Sequence, residues 1–314
     1  MGGKSLHSQK PEPPQVTLTH IDSIKAFLPY AIAMVTPFTQ EGRFNIASVP
    51  SVVDYYKKLA PALLVCGSTG EQHCLTILER KQLYHTVREV AGPNYPLYAG
   101  VAAFKTADAI ELAESALKDN YNGIMLGFPP YRKINQREAE SYVRDVAAAT
   151  PLPIFLYNNP PRTGFALAPD TFVKLAKTVP TVQGIKEAGD VENVNMVKPQ
   201  LPDNISYLTG SDLDIVDAFT ERGYTSITAI IAAVYPKEMK MAYDLIVSGK
   251  IDDAKSIVEE RVRPGFELLQ KTGFLPSIKY VLRKRGVNAG WCPPPMMDPT
   301  KEDMKNLDDK FELH

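Results

Sequence analysis

Short apolar, β-branched-rich runs recur along the chain. Each is followed by a stretch in which apolar residues return every three to four positions. The runs at 30–38, 63–67, 97–101, 123–128, 154–158, 182–187, 206–210 and 226–231 predict eight strands. The amphipathic stretches at 46–59, 78–91, 106–119, 136–150, 168–178, 192–201 and 213–222 predict the helices between them. Helix-start chemistry sharpens two of these: Thr76 stands three residues before Glu79 in capping-box spacing, and Pro169-Asp170 opens another. Strands alternating with helices predict parallel βαβ units, and a count of eight predicts a closed (β/α)8 TIM barrel over residues 26–249. Beyond Pro236 the pattern is helical, at 237–248, 251–271 and 274–285. The first of these completes the barrel. Residues 250–314 read as a C-terminal helical extension, broken by the segment 288–296 before a last helix from about Thr300.

Composition narrows the class without changing this picture. Hydrophobic residues make up 44% of 314 positions, enough for a sizeable core, and 35 basic residues stand against 36 acidic ones. That balance gives no electrostatic footprint for nucleic acid or an anionic membrane. No apolar run approaches the roughly 20 residues that span a bilayer. The three cysteines form neither a disulfide framework nor a CxxC pair, which fits a reducing, cytoplasmic location. Residues 1–25 read as a poorly ordered tail, polar and proline-rich at its start and without a signal sequence's apolar core. Gly2 is no myristoylation site, because Leu6 stands where the pattern needs a hydroxyl. An organelle address in the tail stays open, although Pro11–Pro14 suits a transit helix poorly.

Reactive groups in such a barrel gather at the C-terminal ends of the strands. The sixth predicted strand ends in Gly184-Ile-Lys186-Glu187 and puts a lysine inside an apolar run. Burial disfavours an ammonium ion and leaves a nucleophilic amine, able to capture a carbonyl compound as an imine. The plain alternative is a strand-end lysine that reaches water or pairs with Glu187. After the second strand, Gly67-Ser68-Thr69-Gly70-Glu71 offers two hydroxyls and successive backbone N–H groups suited to a carboxylate. It is equally an ordinary glycine-punctuated loop. A serine-hydrolase reading fails because Cys66 occupies the first glycine of GxSxG. The fifth strand ends in Tyr157-Asn-Asn-Pro-Pro-Arg162-Thr-Gly164. Tyr157 is either a proton relay or a buried aromatic, and Arg162 either a carboxylate fork or a surface cation. The histidines show no metal-ligand spacing, and no GxGxxG or Walker sequence follows the first strand.

Taken together, G-S-T-G-E, Y-N-x-P-x-R-T-G and G-I-K-E-A resemble the dihydrodipicolinate synthase / N-acetylneuraminate lyase family from about Ala31 to at least Val287. These are pyruvate-dependent class I aldolases on (β/α)8 barrels. The resemblance implies that Lys186 forms a Schiff base with pyruvate and that Tyr157 moves the protons. It implies that Ser68 and Thr69 bind the pyruvate carboxylate and that Thr69 links Tyr157 to a second tyrosine, Tyr131. That tyrosine would cross into a neighbouring subunit's site, implying a homotetramer built from tight dimers. Arg162 would take the carboxylate of the aldehyde, a backbone carbonyl at Thr225 would touch pyruvate, and Gly184 would leave room for the adduct. No cofactor and no metal is required: the protonated imine is the electron sink.

The branch within the family is less sharply marked. Arg162 favours a synthase acting on an aldehyde with a carboxylate, such as aspartate semialdehyde. Several residues depart from that branch: Pro130 precedes Tyr131 where a second tyrosine is usual, and Ile230 replaces the commoner asparagine. Ile77 and Arg80 stand where the bacterial lysine-feedback type has histidines, so feedback by lysine is expected to be weak or absent. His73 either faces substrate or simply starts a helix. A 2-keto-3-deoxy sugar acid or 4-hydroxy-2-oxoglutarate aldolase is the alternative enzyme, and a keto-acid-binding barrel without turnover is the alternative from another class.

Overall fold

The computed structural model describes residues 26–313; the expectations for the N-terminal tail, Gly2 included, lie outside them. Eight parallel strands close into a barrel in sequence order. They are β1 Tyr30–Ala33, β2 Leu63–Val65, β3 Leu97–Gly100, β4 Gly123–Gly127, β5 Ile154–Asn158, β6 Val182–Glu187, β7 Ser206–Thr209 and β8 Ser226–Ala229. Each predicted run contains its strand. The first is shorter than its apolar text: after Ala33 the Met34 N–H still donates to the Leu64 carbonyl at 3.0 Å, and Phe38 further on makes only isolated bridges, to Phe44 and Trp291.

Helices fall where the periodicity put them, at Ile77–Ala91, Thr106–Lys118, Gln136–Ala148 and Pro169–Thr178, with shorter ones at Val49–Tyr56, Asn193–Val197 and Ile215–Thr220. The Thr76 capping box forms: Thr76 Oγ1 accepts from the Glu79 N–H at 3.2 Å, and the Glu79 carboxylate accepts from the Thr76 N–H at 2.8 Å. The outward-facing strand residues pack against these helices as one large core. A second cluster fills the barrel itself, with Phe27, Leu64, Tyr98, Met125, Phe155 and Leu208 among its members. Phe27, Tyr98 and Phe155 meet edge to face inside it. The interior is therefore packed, and small molecules have access only at a mouth.

The C-terminal extension is helical and docks on the barrel. The predicted helix 251–271 is not uniform: a π-helical stretch, Ile257–Val262, separates Ile251–Ser256 from Arg263–Lys271. Pro264 explains the irregularity, since it has no N–H for the carbonyl one turn earlier. Helices Phe274–Lys284 and Lys301–Phe311 follow. Between them the Trp291 N–H donates to the Phe38 carbonyl at 3.0 Å, tying the extension to the segment after β1.

Candidate active site

The position of Lys186 rests on one extra residue. Ile154 pairs with Val182, but Phe155 pairs with Gly184, so Gln183 is a bulge on β6. Ile154 and Val182 both belong to the outer core, whereas Phe155 belongs to the barrel interior. The bulge resets the alternation, so Gly184 and Lys186 turn inward with Phe155 and Tyr157, while Ile185 and Glu187 turn outward. Lys186 is 4% exposed and pairs along the sheet with Tyr157, its Nζ 5.2 Å from the centre of the tyrosine ring. No salt bridge to Lys186 exists among the described residues.

Pairing with Glu187 is ruled out by what Glu187 does instead. Its carboxylate accepts from Asn158 Nδ2 at 3.0 and 2.9 Å, from the Gly189 N–H at 2.7 Å and from Asn193 Nδ2 at 3.3 Å, all on the outer side of the strand. Burial pushes the Glu187 carboxyl up, and those donors oppose the shift. Asp212, in the loop after β7, lies close enough for Lys186 to act on it. Its Oδ2 accepts from the Ile230 and Ile231 N–H groups at 2.7 and 2.6 Å. Burial raises the Asp212 carboxyl, while these two N–H groups and the Lys186 charge oppose the rise.

A cleft of about 340 Å³ opens at the C-terminal ends of the strands. Ser68, Tyr157 and Arg162 line it, together with His73, Asn159 and the apolar Phe104 and Phe128. Ser68 is half-buried, and Thr69 behind it is 7% exposed. Their loop is tight: Cys66 and Glu71 both have left-handed backbone, with φ of 58° and 51°. A side chain at Gly70 would press on the Cys66 backbone at 3.0 Å. Glu71, at the end of the loop, turns away from the cleft into a fully buried ion pair with Lys279 of helix Phe274–Lys284. Lys279 Nζ also donates to the carbonyls of Thr36 and Trp291, each at 2.7 Å. The loop carrying Ser68 and Thr69 is thus held from below by the extension. Lys279 was missed in the sequence, although a lone lysine in the apolar run Leu275-Pro-Ser-Ile-Lys279-Tyr-Val-Leu282 carries the same signal as Lys186.

The remaining predicted residues are placed as follows. Arg162 is exposed at the cleft wall, and His73 lies near enough for its charge to matter. Burial first, and then Arg162, hold the His73 imidazole below its ordinary value. Thr69 makes no hydrogen bond to Tyr157 within the chain; the tyrosine's partner is Asn159, whose Nδ2 donates to the phenolic oxygen at 2.6 Å. Tyr131 does not line the cleft. It is 95% exposed, with φ 76°, at the tip of the loop after β4. Thr225 directly precedes β8, and its Oγ1 accepts from the Tyr207 N–H at 3.0 Å. The sheet register sets it one residue from the row Lys186–Leu208–Ser226. A Cβ at Gly184 would meet the Ser206 carbonyl at 2.9 Å and Phe155 at 3.2 Å, so barrel packing by itself requires the glycine.

A closed parallel barrel whose buried lysine lies beside Tyr157, a residue of the cleft at the C-terminal ends of the strands, has the arrangement a class I aldolase-type lyase needs: an amine and a proton-moving group together where such barrels carry their active sites. The comparisons carry this to a family. The model of the dihydrodipicolinate synthetase family matches residues 26–312, and the chain belongs to that family. The 4-hydroxy-tetrahydrodipicolinate synthase of Bacillus subtilis is 31% identical over 280 residues, covering 88% of this chain and 95% of its own. The enzyme of the same name from Chlorobium limicola is 30% identical, covering 82% and 87%. Among solved structures, a dihydrodipicolinate synthase of Bacillus anthracis superposes with a TM-score of 0.85 at 27% identity, covering 92% of this chain and 99% of that one. The resemblance read from the three motifs and the predicted barrel are both borne out. The sugar-acid aldolase and non-catalytic readings are not favoured by these relatives. Among the described residues, no helix is long and apolar enough to cross a membrane.

Proposed function

We propose that this chain is a Schiff-base-forming, pyruvate-dependent lyase of the dihydrodipicolinate synthase type, condensing pyruvate with an aldehyde such as aspartate semialdehyde. The observation that carries the reading is Lys186: a buried lysine that makes no salt bridge among the described residues and lies beside Tyr157, which lines the cleft. In this reaction Nζ adds to the pyruvate ketone, and the carbinolamine hydroxyl leaves as water after Tyr157 delivers a proton. The protonated imine then acidifies the methyl group. Loss of one proton gives an enamine, whose carbon bonds to the aldehyde carbon while the aldehyde oxygen takes up a proton. Hydrolysis of the imine frees Lys186. Ser68 and Thr69 hold the pyruvate carboxylate in this scheme, Arg162 forks onto the carboxylate of the aldehyde, and the backbone at Thr225 contacts pyruvate.

Tyr131 belongs to a neighbouring subunit's site in this proposal. Its near-complete exposure on a left-handed loop tip supports a tight dimer in which it reaches the partner's site, and the pairing of such dimers into a tetramer is part of the same proposal. A cytoplasmic location completes the proposal. The test is borohydride reduction in the presence of pyruvate, followed by intact mass. One reduced pyruvate adduct is expected on the wild type and none on Lys186→Ala. An adduct that persists in Lys186→Ala would remove the lysine from its role. Turnover that is greatest with aspartate semialdehyde among a panel of aldehydes and 2-keto-3-deoxy acids supports the named acceptor; preferential cleavage of a keto-deoxy acid rejects it.

A further inference from the structure

The hydrogen bond from Asn159 to Tyr157 occupies the place that the motif resemblance gives to Thr69, and Asn159 is built to hold it. Its side chain is 6% exposed and lines the cleft wall. Its backbone is fixed by the turn it opens, the helical turn Pro160–Thr163. The Asn159 carbonyl accepts from the Arg162 N–H at 3.0 Å, the Thr163 N–H at 3.1 Å and Thr163 Oγ1 at 3.1 Å. The preceding Asn158 is held between Glu187 and the Leu167 N–H, which anchors the start of the turn. No hydrogen bond joins Thr69 to Tyr157 among the described residues.

We infer that Asn159 is a positioning residue for proton transfer in this chain: its amide N–H fixes the Tyr157 phenol and leaves the phenolic hydrogen free for the reacting groups beside Lys186. The inference rests on the proposed imine chemistry and deepens it. A phenol oxygen that accepts from an amide is restrained in direction, and its own hydrogen needs another acceptor. The same donor lies 2.6 Å from the phenolic oxygen, where it stabilises the negative charge that builds there as Tyr157 passes its proton to the departing hydroxyl. Arg162 lies in the turn that anchors Asn159, so the group expected to bind the aldehyde carboxylate and the group that steadies the phenol share one rigid support.

The test compares the wild type with Asn159→Leu, which keeps the branched shape and loses the donor, and Asn159→Asp, which replaces the donor with an acceptor. The readouts are the rate and final extent of borohydride-trapped pyruvate adduct, and the pH dependence of kcat. In Asn159→Leu the adduct should reach its full extent but form about ten-fold more slowly, since a poorly directed acid is less effective. The alkaline limb of the kcat profile should move up by about half a unit to one unit, the equivalent of one lost hydrogen bond. Asn159→Asp should move it further in the same direction. An Asn159→Leu profile coincident with the wild type, or an Asn159→Asp enzyme that behaves like the wild type, overturns the inference. The second result would mean that the amide accepts from the phenol. A lowered final extent of adduct, with the profile unmoved, assigns Asn159 a merely structural role and also overturns it. No adduct on the wild type at all overturns the imine chemistry and this inference together, an outcome distinct from the others because it does not involve Asn159.

Discussion

Replacing Lys279 with methionine removes the ammonium ion at the junction of barrel and extension. The side chains of Lys279 and Glu71 are wholly shielded from solvent. The carboxylate Oε1 of Glu71 has no hydrogen-bond partner, and the ammonium is the partner of the other oxygen. Loss of Lys279 therefore leaves a buried carboxylate without compensation and frees the carbonyls of Thr36 and Trp291 as well. Breaking a buried pair from one side costs about 3–5 kcal/mol. For a chain of this length that corresponds to a fall in Tm of about 5–8 °C. Glu71→Gln/Lys279→Met removes both charges and should recover at least about 1 kcal/mol of that loss. Urea unfolding of the wild type, both single variants and the double variant gives the coupling energy directly. Glu71 ends the loop that bears Ser68 and Thr69, so KM for pyruvate should rise more than kcat falls in Lys279→Met. A stability within about 1 kcal/mol of the wild type, or a double variant as unstable as the two singles added, would refute the reasoning.

Two further outcomes follow from the cleft. The His73 imidazole should titrate by NMR below the ordinary value of about 6.5, and Arg162→Ala should move the midpoint upward by removing a nearby positive charge. Because the folded value is depressed, the contribution of His73 to stability is present above that ordinary value and is lost as pH falls toward the folded one. Lysine at sub-millimolar concentration should leave activity unchanged. Arg80, one of the residues lining the cleft, donates to the carbonyls of Gly100 and Ala102 and opposes a second cation there; a loss of activity of about ten-fold would overturn this.

The sequence determined which elements form and which residues stand at the ends of the strands, because a strand or helix is written locally, in periods of two and 3.6 and in caps such as Thr76–Glu79. The three motifs, each short and lying beside a strand end, were legible for the same reason. What only the tertiary structure decided is direction and partnership. A one-residue bulge at Gln183 turns Lys186 into the barrel; without it the alternation set at Val182 would send the lysine outward, and no local preference marks that bulge. Pairing with Glu187 stood as one alternative for Lys186, but neighbours on a strand face opposite ways, and the glutamate binds Asn158 instead. The Glu71–Lys279 pair joins residues 208 positions apart, and such a contact exists only once the extension has docked. Thr69 and Tyr131 carry the right chemistry in the right motifs, yet within one chain the phenol of Tyr157 is met by Asn159, because a hydrogen bond depends on where the turn after β5 aims its side chains.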